Sequence, residues 1–362
     1  MSNMAFFPFF PYIWKWLSLD GFQISILNLV VFSISFIILM GKEKYSTAYL
    51  LIVSSLPCFI FFFLPYSESW FFLFGTMLII GYRRESRMLQ VLGLFGCCLT
   101  RSVSTFFIPA VIITEILAYK ASGISRKTLI TNITINISAC LAGILSVVLI
   151  QGLQTGKWFY YIEVQKYWQR HWLFPSFPLT TISPNKVLGI DSVALMLGLI
   201  GIYFSVKYCF SQIKSKITKK EPFHSSPPIC KSIYFSILFL AAIAIIDTCF
   251  TYDINGKTNM QCMNRHLMCT SFALCFLNWL NNEYRNGSYD IYFIAGFLVL
   301  GIFATGIYAY GHHLIYYILF VSSFFLYRFF PAIKPVFLLL FLFNIFFLVI
   351  FYQDFLNGLW IG

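Results

Sequence analysis

Apolar runs of roughly membrane-crossing length recur along the whole chain, and that length constrains the fold more than any single motif. A helix rises about 1.5 Å per residue, so roughly 20 apolar residues cross the hydrocarbon core of a bilayer. Such runs lie near 22–40, 46–64, 69–81, 88–118, 129–150, 187–206, 233–250, 267–280, 291–308, 313–326 and 336–352. Only 10% of the residues are charged, against about 25% in a soluble domain. The runs are continuous, whereas a membrane barrel alternates apolar and polar residues. The expected fold is an all-α, polytopic transmembrane bundle of about ten spans. One run, 88–118, is too long for a simple crossing and is read as a pair of half-helices.

The 25 Lys and Arg outnumber the 13 Asp and Glu, but their positions matter more than their sum. Most fall on alternate loops: Lys42 and Lys44; Arg83, Arg84 and Arg87; Lys120, Arg126 and Lys127; Lys207, Lys214, Lys216, Lys219, Lys220 and Lys231; Arg285; Arg328 and Lys334. These loops share one side if 88–118 returns to where it began, and by the positive-inside rule that side is cytoplasmic. The charge is therefore read as topology, and nucleic acid is excluded as a partner. The amino terminus, the turn at Glu68, and segments 151–186, 251–263 and 310–313 then face outward. The chain divides into an N-terminal transmembrane module, 1–206, carrying the long outer loop 151–186; a basic cytoplasmic loop, 207–231; and a C-terminal module, 232–362. Sequons at Asn132, Asn136 and Asn286 fall near the cytoplasmic side, which argues against glycosylation. The ten cysteines lack the paired Cys and His spacing of a metal site, and most read as small packing residues. Cys249 and Cys262 are the one pair placed to meet outside.

Glu68 and Arg101 stand out because each interrupts apolar sequence. An ionised side chain at bilayer depth costs about 2.5 to 3.5 kcal/mol on insertion scales, so it marks either an ion pair or a wet cavity with chemistry in it. Both readings stay open for this pair. In the long loop, Phe159, Tyr161, Ile162, Val164, Tyr167 and Trp168 recur at helical spacings, as in an amphipathic helix lying on the membrane surface. Gln165, Lys166, Gln169 and Arg170 would take its wetter side. Such a basic, aromatic ledge is either an interfacial anchor or a cradle for a lipid phosphate and a sugar. Arg265, at the outer entry of a late span, either snorkels to headgroups or binds phosphate. His312-His313 reads as a turn. Near the start, Phe6-Phe7-Pro8-Phe9-Phe10-Pro11 reads as an interfacial segment in which two prolines limit helix.

Taken in order, Phe6-Phe7-Pro8-Phe9-Phe10-Pro11, Pro65-Tyr66-Ser67-Glu68-Ser69, Leu99-Thr100-Arg101-Ser102, the loop from Gln165 to Trp172, and Arg265-His266-Leu267 resemble the PIG-V-like mannosyltransferases, a family of the GT-C glycosyltransferase class. The Tyr-Ser-Glu-Ser element is the most specific part of the likeness, and the late Arg-aromatic pair is represented here by Arg265-His266. The resemblance implies a GT-C-type fold and an inverting enzyme that moves a hexose, usually mannose, from a polyprenyl-phosphate carrier to a glycan or glycolipid acceptor on the non-cytoplasmic face. The polyprenyl-phosphate sugar is the donor substrate; no cofactor is assigned, and no residue is assigned as a metal ligand. Glu68 would be the catalytic carboxylate, with Tyr66, Ser67, Arg101, Gln165, Lys166, Trp168, Arg170 and Arg265 holding substrate and phosphate. Family members carry a further helix and an outer loop with a catalytic Asp upstream of the aromatic-proline segment; either a segment precedes Met1, which is the favoured explanation, or the chain is a degenerate copy without that base.

Two other classes compete with this reading. An O-antigen-type polymerase or ligase also has about ten spans and arginines on an outer loop, but lacks the early Tyr-Ser-Glu-Ser element. A lipid-linked saccharide transporter would show broken spans in matching positions of two repeats, and only 88–118 is broken. The abundance of Phe, Ile, Lys and Asn fits an AT-rich bacterial genome, so the expected location is a bacterial inner membrane, with membrane lipids as the surrounding partner.

Overall fold

The apolar runs become helices because the interior of a bilayer offers the backbone no partner but itself. The computed structural model describes residues 7–41, 47–122, 125–218, 229–283, 288–326 and 334–359. Its α-helices are α1 (Phe9–Leu17), α2 (Gly21–Met40), α3 (Thr47–Ser54), α4 (Glu68–Arg83), α5 (Arg87–Thr100), α6 (Phe107–Ser122), α7 (Arg126–Thr155), α8 (Tyr160–Tyr167), α9 (Pro184–Thr218), α10 (Lys231–Cys249), α11 (Ser271–Asn278), α12 (Ser288–Thr305), α13 (Gly311–Val321) and α14 (Lys334–Leu356). Four two-residue strands, β1 (His171–Trp172), β2 (Phe250–Thr251), β3 (Asp253–Ile254) and β4 (Lys257–Thr258), form two small antiparallel ribbons, β1 with β2 and β3 with β4. Among the described residues, six helical stretches are long and apolar enough to cross a membrane: Gly21–Met40, Ser102–Tyr119, Arg126–Thr155, Pro184–Lys214, Lys231–Cys249 and Pro335–Leu356. The protein is an all-α membrane protein.

Several boundaries differ from the sequence reading, each for a local reason. The run 46–64 is not one helix: α3 stops at Ser54, Leu56 adopts ψ 130°, and a 3-10 turn, Pro57–Phe62, follows. Pro57 lacks an amide hydrogen and drives the residue before it out of the helical region. The run 88–118, by contrast, breaks as the sequence reading has it: Arg101 is extended (φ −147°, ψ 142°) between α5 and the 3-10 turn Ser102–Phe106. The aromatic-proline stretch does form a helix, because Pro11 lies in the first turn of α1, where amide groups have no intrahelical acceptor to lose. α9 continues to Thr218, so the start of the basic segment 207–231 is helical. Lys42, Lys44, Lys219, Lys220, Arg285, Asn286 and Arg328 lie outside the described residues. All ten cysteines are free thiols, so Cys249 and Cys262 do not bridge.

Alternating helix directions sort the connections into two ends. At one end Glu68 meets Arg101 at 3.1 Å, β1 pairs with β2, and the Leu179 amide donates to Ala304 O at 2.6 Å. Lys186 meets Asp354 there at 2.7 Å. Arg83, Arg84, Arg87, Arg126, Lys127, Lys214 and Lys231 occupy helix ends away from this cluster. Between the ends, Phe71, Phe107, Phe235, Phe239 and Phe272 form an aromatic lattice, with Phe272 4.8 Å from Phe239 and 5.2 Å from Phe235, mostly tilted or edge-on. α4 and α5 approach closely at Gly93, where a Cβ would stand 2.7 Å from Leu78 N.

Candidate functional site

Glu68 is the first residue of α4, and four hydrogen bonds fix where that helix begins. Asn28, fully buried in α2, donates from Nδ2 to Leu64 O at 2.7 Å and to Tyr66 O at 2.9 Å. Its Oδ1 accepts from Trp70 Nε1 at 3.1 Å. Ser69 Oγ donates to Phe62 O at 2.9 Å. The Pro65-Tyr66-Ser67 turn is thus held by α2 on one side and by the 3-10 turn on the other. A carboxylate placed at a helix amino end also gains from the exposed amide dipoles.

Glu68 is completely buried. Its Oε1 accepts from Arg101 Nη1 at 3.1 Å and also from Arg265 Nε. The two guanidiniums come from opposite parts of the chain, 33 and 197 residues from Glu68. Both sit on aromatic rings: Arg265 Cζ lies 4.3 Å from the Tyr66 centroid and 5.0 Å from that of Phe61, and Arg101 Cζ lies 5.8 Å from that of Phe71. Neither reading of Arg265 as a headgroup anchor nor an isolated Glu68–Arg101 pair describes this triad. The expectation that Glu68 accepts a proton from an acceptor fits it poorly, because the carboxylate has no exposed surface and serves two cations. Glu68 instead locks Arg101 and Arg265 side by side.

Two acids that the sequence reading passed over complete the cluster. Asp191, buried in α9, accepts from the Asn264 amide at 2.7 Å and from Asn264 Nδ2 at 2.6 Å. It thereby pins the π-helical turn Asn264–Met268, the kind of local widening often found at functional sites. That turn sends Arg265 to Glu68 and His266 to Asp247, whose Oδ2 lies 2.9 Å from His266 Nδ1. Asp247 stands near the end of α10. Asp191, Asp247 and Glu115 interrupt apolar runs just as Glu68 and Arg101 do, so the signal that found the first pair was present for them too. Glu115 belongs elsewhere: it pairs with Lys231 at 2.6 Å.

The long outer loop meets the end of α10 through the β1–β2 ribbon, and Arg170 stands immediately before that ribbon. The helix expected there is the eight-residue α8, and Val164 is its buried contact. The chain then turns at Gln169 (φ 57°), which redirects Arg170 away from the wet side assigned to it. Arg170 is half-buried, with Cζ 5.3 Å from the Trp168 centroid. Burial lowers its pKa, and the Asp247 carboxylate is the leading influence in the other direction. Gln165 is half-buried and donates to Tyr161 O at 3.4 Å, Ser67 is half-buried at the start of α4, and Lys166 is exposed. Among the described residues, no hydrogen bond or ion pair joins Lys166 or Gln165 to the Glu68 cluster. Of the expected site residues, Tyr66, Glu68, Arg101 and Arg265 converge directly, Ser67 adjoins them, and Arg170 lies over Trp168 at the start of the ribbon that joins the outer loop to α10.

The arrangement is a set of three arginines and a histidine at one end of a helical bundle, organised by three buried carboxylates. Chemically it suits an anion: guanidiniums already held in place cost little reorganisation when a phosphate arrives. No family model, no curated protein and no solved structure matches this chain.

Proposed function

We propose that the protein is a membrane glycosyltransferase of the GT-C type, resembling the PIG-V-like mannosyltransferases. It moves a hexose, mannose in the favoured reading, from a polyprenyl-phosphate donor to a glycan or glycolipid acceptor on the non-cytoplasmic face of a bacterial inner membrane. The full bundle in this reading has about ten spans. The observation that carries the proposal is the clamp of Arg101 and Arg265 on buried Glu68, with Arg170 brought toward it by the outer loop. Transfer from a lipid phosphate develops negative charge on the leaving oxygen, and prearranged cations are what such a transition state needs. In this scheme Arg101, Arg265 and Arg170 receive the leaving phosphate and Glu68 positions two of them. Tyr66 and Trp168 provide flat surfaces under those guanidiniums, while Lys166 and α8 meet the lipid surface.

The test is sugar transfer by the purified full-length chain in vesicles, using a radiolabelled hexosyl polyprenyl phosphate and a mixture of glycolipid acceptors. Wild-type protein is expected to move label to acceptor, and Arg170→Ala to lose at least tenfold in rate while keeping its thermal stability. Absence of transfer across hexose donors, with the protein folded, would overturn the proposal.

A further inference from the structure

The long loop between α7 and α9 divides into a charged and an uncharged half. Segment 157–171 holds Lys157, Glu163, Lys166, Arg170 and His171, whereas 172–184 has no Lys, Arg, Asp, Glu or His. In the uncharged half Phe174 is 97% exposed and Phe177 66%. The segment is fastened to the ends of two apolar helices: the Leu173 amide donates to Cys249 O at 2.9 Å, and the Leu179 amide to Ala304 O at 2.6 Å. Cys249 is the last residue of α10, and Ala304 is one residue from the end of α12. α10 has 19 residues, about 28 Å at 1.5 Å per residue, against a hydrocarbon core of about 30 Å. The loop therefore lies where the hydrocarbon ends. Ile245 on α10 and Phe303 on α12 are exposed within a turn of these anchors, so the apolar surface of the helices leads up to the loop. Trp172 against Phe250 and Phe303 against Tyr308 add paired rings at the same level, where aromatic belts collect.

We propose that 173–177 is a wedge that enters the edge of the bilayer at this end of the bundle, with Phe174 and Phe177 as the inserted side chains and lipid acyl chains as their partner. The backbone suits that environment, in which an unpaired amide hydrogen is costly. Pro175 and Pro178 have no amide hydrogen, and Leu173, Ser176 and Leu179 donate to Cys249 O, Thr258 Oγ1 and Ala304 O. Five of the seven backbone nitrogens from 173 to 179 are thereby accounted for. Water would be the poorer partner, because two exposed phenyl rings on an uncharged loop gain nothing from it. Charge returns at the neighbouring β3–β4 tip, where Asp253 and Lys257 are exposed with Asn255. Arg170 stands three residues before the wedge, so insertion holds it near the depth of the lipid headgroups. The proposal is independent of the glycosyltransferase reading.

The experiment places the full-length wild-type chain in vesicles of phosphatidylethanolamine and phosphatidylglycerol that contain a phospholipid with a diazirine on its acyl chain. After photolysis, peptide mass mapping should find lipid adducts on the peptide carrying Phe174 and Phe177 and none on the β3–β4 tip. Hydroxyl-radical footprinting of the same vesicles should leave both phenyl rings unmodified while it oxidises that tip. Oxidation of Phe174 and Phe177 at the level of the tip would mean that they face water, and overturns the proposal. Protection that fades as the lipid-to-protein ratio is raised would assign the patch to a second copy of the chain. Protection that appears only with an added glycan would assign it to a saccharide, and either result overturns the proposal. Phe174→Asn combined with Phe177→Asn is expected to keep the thermal stability of wild type in detergent, since both rings project from the protein, and to lose the lipid adducts at this segment. Undiminished adducts in that variant would show that these two side chains do not drive insertion, and would also overturn it.

Discussion

Replacing Glu68 by Gln keeps the shape of the side chain and removes its charge, leaving Arg101 and Arg265 buried with no carboxylate between them. Two unit charges 3.1 Å apart attract by about 5 kcal/mol at an effective dielectric of about 20. The attraction is offset by the cost of desolvating both partners, and removing one member of such a buried pair costs about 3 to 5 kcal/mol. Two arginines share one oxygen here, so the upper part of that range applies. The assay is reversible unfolding in lipid bicelles for Glu68→Gln, Arg265→Gln and the double variant. The double variant should be less destabilised than the two singles added together, with a coupling of at least about 2 kcal/mol. A triple replacement by apolar residues of matched volume, Glu68→Leu with Arg101→Met and Arg265→Met, should recover most of the stability and none of the transfer activity. Additive single effects, or a Glu68→Gln protein as stable as wild type, would refute the view that Glu68 is the anchor of the cluster.

Two further perturbations test how the site is built and where it faces. Asn28→Leu deprives Leu64 O and Tyr66 O of their donor and Trp70 of its acceptor; it should cost about 2 to 3 kcal/mol, read by unfolding, and lower transfer by displacing the start of α4. Tyr160→Cys, in the otherwise active protein, should react with an impermeant thiol reagent in intact cells. Reaction only after permeabilisation would place the cluster on the cytoplasmic side.

What was legible in the sequence follows from how far each signal reaches along the chain. The break at Arg101 was visible because Thr100, Arg101, Ser102 and Ser104 crowd into an apolar run, and local polarity of that kind needs no tertiary information. Pro57 carried an equally local signal, but the hydropathy on either side of it masked the end of α3. The membership of Arg265 in the cluster was not readable as geometry: it reaches Glu68 across 197 positions, and either end of that contact alone resembles an ordinary interfacial charge. Asp191 and Asp247 were passed over for a different reason. Each sits near the end of an apolar run, where a lone acid is easily read as the boundary of the span. Arg170 was assigned to the wrong side because helical periodicity was extended through Gln169, a residue whose left-handed backbone ends that periodicity.

The ribbon between β1 and β2 is only two residues long on each side, with His171 opposite Thr251 and Trp172 opposite Phe250. It is continued by the Leu173 amide donating to Cys249 O at 2.9 Å. Arg170 stands immediately before one strand, and Asp247 three residues before the other. The rung therefore ties the outer loop to the tip of α10, so that the residue entering one strand and the acid that meets His266 are held on a common hinge of backbone hydrogen bonds.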